Sequence, residues 1–269
     1  MSRSHINSEL ADSSTTVELP LVNPELEGGD FFWEGGADGV LLLHGLTATT
    51  AEVRPLAKRF HDEGFTVSAV LLPGHGTTPE KLNQTHRREW VAVCEKAYAE
   101  LQKKCSRVIV GGESTGSILA LHLASEHPEI KALLLYAPAM KLASSLLSRF
   151  FMIVASPFVF AVPKKAEDER NAMPWQGYKV NPLKAGVQLL KLQLETEKRL
   201  PRIYQPILII QANLDETVDL KSGEIIFRGV QSAVRESHWM EKSKHLVILD
   251  QEFEGVTSIT MKFVNKIFQ

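Results

Sequence analysis

One stretch constrains this chain more than any other: Val108-Ile109-Val110-Gly111-Gly112-Glu113-Ser114-Thr115-Gly116-Ser117. A short β-branched run meets glycines, then one serine, then another glycine. Residues 117–124 behind it have helix-forming composition. The pattern predicts a strand, a sharp turn and a helix, with Gly112-x-Ser114-x-Gly116 at the turn. The glycines have a steric job, because strand and helix pass too close there for side chains and the turn residue has strained backbone angles. Such a turn lifts Ser114 Oγ out of the sheet, where a base can reach it. It also aims the Thr115 N–H, at the helix start, toward the same spot.

The 269 residues are 44% hydrophobic and 23% charged, which fits a soluble globular chain with a sizeable core. A net charge of -2 gives no reason to expect nucleic acid or an anionic membrane as partner. The N-terminus lacks the apolar core of a signal peptide. Cys94 and Cys105 flank an expected helix, roughly 16 Å apart along it at about 1.5 Å per residue, too far for a disulfide. Both are read as reduced thiols of a cytoplasmic protein. No His/Cys cluster suggests a metal, and no cofactor is expected.

Residues 1–15 are polar and expected to be frayed, and residues 17–32 to be extended around a turn at Gly28-Gly29. Residues 39–44 are a continuous apolar run, as in a strand buried on both faces. Val53, Leu56, Ala57 and Phe60 share one helical face that Gly64 ends, with Pro55 tolerated only in the first turn. Residues 65–71 are a strand, and residues 89–104 a helix burying Trp90, Cys94, Ala97 and Leu101. Further strands are expected at 132–136, 206–211 and 236–241, and a closing helix carries Phe253, Val256, Thr260, Phe263 and Ile267. Strands alternating with helices indicate an α/β fold, a mostly parallel central sheet with helices on both faces. The alternation breaks between Met140 and Tyr204, which reads as a helical insertion with Leu183, Val187, Leu190 and Leu194 on one helix face. The division is therefore a core of residues 1–139 and 205–269, and an insertion of residues 140–204. The uncharged run 150–163 is too short for a membrane span and is broken by Pro157. It reads as part of a lid or the wall of an apolar pocket, and no stable membrane insertion is expected.

A serine hydroxyl needs a base, and the base an orienting acid. Of nine histidines, His245 stands out, in a polar loop right after the last strand. His238 lies inside that strand and is read as packed. Asp215, leaving the strand at 206–211, is preferred as the acid. Asp219 ranks second and is read as the N-cap of a helix at 220–230. Asp250 ranks last, since it would have to fold back sharply. Glu216 is expected to face solvent. For an oxyanion, Thr115 supplies one N–H, and Leu46, after the first buried strand, is the candidate for the second.

Leu43-His44-Gly45-Leu46-Thr47, Leu72-Pro73-Gly74-His75-Gly76-Thr77-Thr78-Pro79, Gly112-Glu113-Ser114-Thr115-Gly116, Asp215-Glu216-Thr217-Val218 and Ser243-Lys244-His245-Leu246-Val247-Ile248-Leu249-Asp250 together resemble the carboxylesterase and monoacylglycerol-lipase group of α/β-hydrolases. The resemblance runs from about Gly39 to the C-terminus. It implies the α/β-hydrolase fold, with residues 140–204 as a helical cap over an acyl pocket. It also implies a serine carboxylic-ester hydrolase with a Ser114, His245, Asp215 triad and a covalent acyl-enzyme. The substrate would be a short- to medium-chain acyl ester or glyceride, with Phe151, Phe158 and Val218 as candidate substrate contacts. A thioesterase or acyltransferase with the same triad, or a ligand-binding relative with little turnover, are the alternatives. Two positions depart from the group: Glu113, where an apolar residue is more usual, and Ser117, where a small apolar residue or glycine is common. A buried carboxyl beside the site must be hydrogen-bonded or protonated. Ser117 is expected to matter only for local packing.

Overall fold

The computed structural model describes residues 21–164 and 173–269; the expectations for residues 1–20 lie outside the described residues. Strands β1 (Leu21–Val22) and β2 (Phe31–Trp33) precede β3 (Asp38–Leu43), α1 (Arg54–Asp62), β4 (Thr66–Ala69), α2 (Pro79–Gln84) and α3 (Arg87–Gln102). Next come β5 (Arg107–Glu113), α4 (Thr115–Ala124), β6 (Ala132–Tyr136), α5 (Leu146–Ala155), β7 (Ala161–Pro163), β8 (Gly177–Tyr178), β9 (Val180–Pro182) and α6 (Leu183–Glu197). The chain closes with β10 (Ile207–Ala212), α7 (Ser222–Gly229), β11 (Arg235–Met240) and α8 (Phe253–Phe268).

A seven-stranded sheet runs in the order β11-β10-β6-β5-β3-β4-β2. All neighbours pair in parallel except β2, which is antiparallel to β4 at the edge. Side chains alternate across a strand, so each central strand feeds two cores. Leu41, Leu43, Val110, Leu133, Leu135 and Ile209 face α3, α4 and α6. Val40, Leu42, Ile109, Leu134, Leu208 and Ile210 face α1 and α8. This is why the strand sequences read as unbroken apolar runs rather than alternating ones. α1 buries Val53's neighbours Leu56, Ala57 and Phe60, carries Pro55 in its first turn, and is followed by Gly64 at φ 88°. On α3 the buried slot expected for Ala97 belongs to Tyr98.

Three expectations need correction. The insertion is not purely helical, since β8 pairs with β1 and β7 with β9. The buried stripe of α6 is Ala185, Leu189, Leu192, Gln193 and Thr196, not Leu183, Val187, Leu190 and Leu194, of which only Leu183 is buried and Leu194 is exposed. That helix is covered twice, by the core beneath and by α5 above, where Met152 Sδ packs on Gly186, so both faces are apolar and the pattern misleads. Finally, α7 begins at Ser222 with Lys221 in the cap position. Asp219 instead accepts the Lys221 N–H at 2.9 Å and pairs with Lys141 at 2.8 Å.

Candidate active site

β5 lies centrally in the sheet, between β3 and β6. The chain moves outward from β3 to β4 and returns to β5, so a crevice opens at the carboxyl ends of β3 and β5. At the end of β5, Ser114 has φ 54° and ψ -111°, a region that costs on the order of 1–3 kcal/mol. The turn is over-determined. A Cβ on Gly112 would sit 2.5 Å from the Gly116 carbonyl carbon, and one on Gly116 would sit 2.0 Å from the Leu43 oxygen. Ser114 N–H donates to Tyr136 O at 2.9 Å, and Ala139 N–H donates to Ser114 O at 3.2 Å. Ser117 does more than pack: its hydroxyl donates to Gly112 O at 2.6 Å and accepts the Tyr136 N–H at 3.1 Å, so it stitches the turn to β6.

His245 follows β11, and Asp215 follows β10, on loops at the same edge. His245 Nε2 lies 3.0 Å from Ser114 Oγ, and His245 Nδ1 lies 2.8 Å from Asp215 Oδ2. With Nδ1 protonated, the imidazole donates to Asp215 and presents a lone pair to the serine. Asp215 Oδ1 accepts the Thr217 and Val218 N–H groups at 2.8 and 2.9 Å. Burial pushes the Asp215 carboxyl up, but His245 and these donors outweigh it, so the group lies below the usual carboxylate value. Asp250 instead accepts the Lys244 and Gln251 N–H groups within its own loop. Glu216 is exposed. His238 is not packed: it stands on the edge strand β11, 38% exposed. Such an arrangement can move a proton from a serine hydroxyl to an imidazole, the chemistry that a serine nucleophile needs.

The loop after β3 closes against the serine. Gly45 is so near that a Cβ there would be 3.3 Å from Ser114 Cβ. His44 is fully buried, and burial lowers its imidazole to about 4, so it is neutral at pH 7. Its Nε2 accepts the Leu72 N–H at 3.0 Å, which leaves the proton on Nδ1 to be donated to Gly45 O at 2.9 Å. Glu52 accepts the Gly45 N–H at 2.6 Å and the Trp175 Nε1–H at 3.0 Å. Glu113 is fully buried beside the site. The Val247 and Ile248 amides lean toward its carboxyl without aligning well enough to be hydrogen bonds. Burial, then the charges of Glu52 and Asp215, push Glu113 well above its ordinary value. Among the described residues no cluster of three or more His, Cys, Asp or Glu is arranged to hold a metal ion.

Residues 37–252 match the family described as serine aminopeptidase, S33. The thermostable monoacylglycerol lipase of Bacillus sp. (strain H-257) is 31% identical over 252 residues, covering 90% of this chain and 97% of that protein. The chain belongs to the serine aminopeptidase S33 family. Another relative of this S33 hydrolase is the carboxylesterase of Bacillus subtilis (strain 168), 28% identical over 241 residues, with 88% and 96% of the two chains covered. A solved structure from work on two metagenome-derived lipolytic enzymes superposes with a TM-score of 0.82 at 28% identity, covering 89% of this chain and 98% of that one. The fold of the S33 hydrolase is the α/β-hydrolase fold.

In this S33 hydrolase the other candidate residues are spread out. Val218 is buried, and its backbone forms an antiparallel bridge with Leu142 at the start of the insertion. Phe151 lies on α5 at 58% exposure and Phe158 just beyond it at 89%. No residue of α5 is buried. Phe158–Phe160, with Glu80, Asn83 and Lys184, line a cleft of about 260 Å³ between the insertion and α2. No helix among the described residues is long and apolar enough to cross a membrane. Glu52 and Trp175 are not among the residues the sequence motifs single out. They are 123 positions apart, and only the fold brings them together. A buried-face position for an acid right after a glycine loop was the available signal for Glu52.

Proposed function

We propose that this α/β-hydrolase is a serine carboxylic-ester hydrolase that cleaves short- to medium-chain acyl esters or monoacylglycerols through a covalent acyl-enzyme. The observation that carries this reading is the hydrogen-bonded series Asp215–His245–Ser114 at the carboxyl edge of the sheet. His245 Nε2 takes the Ser114 proton as Oγ attacks the ester carbonyl. Asp215 holds the tautomer and faces the imidazolium that forms. The negative oxygen of the tetrahedral intermediate is bound by the N–H groups of Thr115, at the N-terminus of α4, and Leu46. The Gly45 carbonyl is held by His44, so the trans Gly45–Leu46 peptide turns its N–H to the other side. The imidazolium then protonates the alcohol as the C–O bond breaks. Water, deprotonated by His245, attacks the acyl carbonyl, and the imidazolium then returns that proton to Ser114 Oγ as the acyl–Oγ bond breaks and the acid leaves. This sequence needs neither metal nor cofactor.

The relatives named above, a monoacylglycerol lipase and a carboxylesterase, support the ester as substrate class. Residues 140–204 would then be the cap, and the apolar side chains of Phe151 and Phe158 the surface met by the acyl chain. The test is a panel of nitrophenyl esters, monoacylglycerols, an acyl thioester and an aminoacyl anilide with purified protein. Fast ester and glyceride turnover with a burst of one alcohol per chain is expected. Preference for the thioester or the anilide overturns the substrate class, and turnover without labelling of Ser114 by a phosphonate overturns the mechanism.

A further inference from the structure

Glu52 ends the short turn Thr50–Glu52 that follows the loop after β3, and it is 2% exposed. Its two carboxyl oxygens are used by two different parts of the molecule. Oε2 accepts the Gly45 N–H, and Oε1 accepts the Trp175 indole N–H. A Cβ built on Gly45 would lie 3.2 Å from Glu52 Oε2 and 3.3 Å from Ser114 Cβ, so carboxyl, glycine and serine stand in direct succession. The other side of Gly45 is fixed as well, since its carbonyl accepts from His44 Nδ1 and from the Ala48 N–H at 3.3 Å.

Trp175 belongs to a strap, residues 173–178, that runs along the same loop. Thr49 N–H donates to Gln176 O at 3.0 Å, and Tyr178 N–H donates to Thr47 O at 2.9 Å. The Gln176 side chain meets Thr49 Oγ1 at 3.0 Å, and the Tyr178 hydroxyl donates to Gly74 O at 2.7 Å. A buried carboxyl is costly unless donors satisfy it. Glu52 has two, and the neighbouring Glu113 has none that are well aligned. The charge therefore belongs on Glu52 and the proton on Glu113. Burial raises Glu52 above its ordinary value, against the opposing pull of Gly45, Trp175, His245 and Lys164.

We propose that Glu52 is a positioning residue for ester hydrolysis: its carboxylate locks Gly45 so that the Leu46 N–H meets the developing oxyanion, and the Trp175 indole locks the carboxylate. This rests on the hydrolase reading given above. The Gly45 loop lacks a second glycine to set its shape and instead holds Thr47 at φ 68°. A strained backbone of this kind persists only where its surroundings over-determine it. A carboxylate accepting from both sides does that; an amide in its place turns an NH2 group against one of the two donors.

The test uses Glu52→Gln and Trp175→Phe in the full chain. Three quantities are read: kcat and KM on nitrophenyl butyrate, the inhibition constant of a trifluoromethyl ketone that adds to the serine as an oxyanion, and the end-point stoichiometry of phosphonate labelling. For Glu52→Gln we expect kcat to fall roughly 30- to 300-fold, somewhat less than the roughly 10²- to 10³-fold of a lost oxyanion donor because the Leu46 N–H is misaimed rather than removed, with KM within about threefold. The ketone should weaken by the same factor as kcat/KM, because both report the oxyanion. Labelling should still reach one per chain. Trp175→Phe keeps the ring and loses one donor, so a smaller loss along the same line is expected. Glu52→Gln with kcat within about threefold of wild type overturns the proposal, as does a fall in kcat with ketone affinity unchanged. If Glu52→Gln fails to fold, Trp175→Phe decides: parallel losses support the proposal, and none overturns it. Wild-type protein that neither cleaves the ester nor labels at Ser114 overturns the hydrolase reading and this proposal together, whereas active wild type with a normal Glu52→Gln overturns this one alone.

Discussion

Ser114 Oγ and His245 Nε2 are 3.0 Å apart, so deleting that one oxygen removes both the nucleophile and the group the imidazole serves. Ser114→Ala is expected to lower kcat on a nitrophenyl ester by roughly 10⁴- to 10⁶-fold and to abolish phosphonate labelling. Retained activity with another serine labelled would refute the assignment. The acids make a paired comparison. Asp215→Asn turns a donor toward His245 Nδ1–H and should cost about 10⁴-fold in kcat. Asp219→Asn loses a half-exposed ion pair with Lys141, and kcat should stay within about threefold. Similar residual activities in the two variants would leave no basis for choosing Asp215. Glu113 carries a stability signature. Its native value is raised, so above the unfolded carboxyl range, around 4.3, the native chain holds a proton that the unfolded chain has released. Stability then falls as pH rises, with a slope of up to about 1.4 kcal/mol per pH unit from this group, until the native value is passed. Glu113→Gln should match wild type at pH 4 and exceed it increasingly toward pH 8 in urea unfolding. Equal pH slopes for the two proteins would show that Glu113 is not held protonated.

At the level of elements, α5 is unusual in burying nothing while carrying Leu146, Leu147, Phe150, Phe151, Ile153 and Val154 in the open. A dry surface gains at most about 0.8 kcal/mol for each acyl methylene it covers, or about fourfold in kcat/KM. If this helix and Phe158 receive the acyl chain, kcat/KM rises from acetate toward a medium-length ester and then falls. Phe158→Ser should flatten that rise and spare acetate, since the serine stands on the core sheet. A profile that peaks at acetate, or keeps its shape in the variant, would take the acyl chain away from this helix. The same elements tell where sequence patterns are legible. The strands were, because Val40-Leu41-Leu42-Leu43 must be apolar on both sides once helices cover both faces of the sheet. The face of α6 was not, because a helix lying between core and α5 carries apolar residues on two opposite sides, with Lys184 and Lys191 between them, and so has no single stripe to read. Asp219 misled for another reason. An aspartate before a helix suits a cap, yet here it also suits the ion pair with Lys141, and the helix starts later.

Across the whole molecule, the order Ser114, Asp215, His245 along the chain and the three loops at one sheet edge were legible, because each loop directly follows a strand of obvious composition. The contact of Glu52 with Trp175 was not, because it depends on how residues 173–178 cross the loop after β3, and no local pattern encodes that crossing. Two thiols offer a measure of global opening. Cys94 and Cys105 are unpaired and buried, and burial pushes both thiols up, away from the reactive thiolate. Native protein should leave both unmodified by a disulfide reagent and keep full activity, while denaturant should release two equivalents. Rapid reaction of either thiol in the native protein would show that the α3 side of the core opens far below the global unfolding free energy. The strap has a bearing on protein engineering. Exchanging insertions between relatives is an obvious way to trade one selectivity for another, on the assumption that the insertion is a detachable module. Here residues 173–178 brace the loop beside Ser114, so a chimera that imports a foreign insertion also discards its own brace. Splice points placed before Met173 and after Tyr178, leaving the strap with the host, would separate the two inheritances.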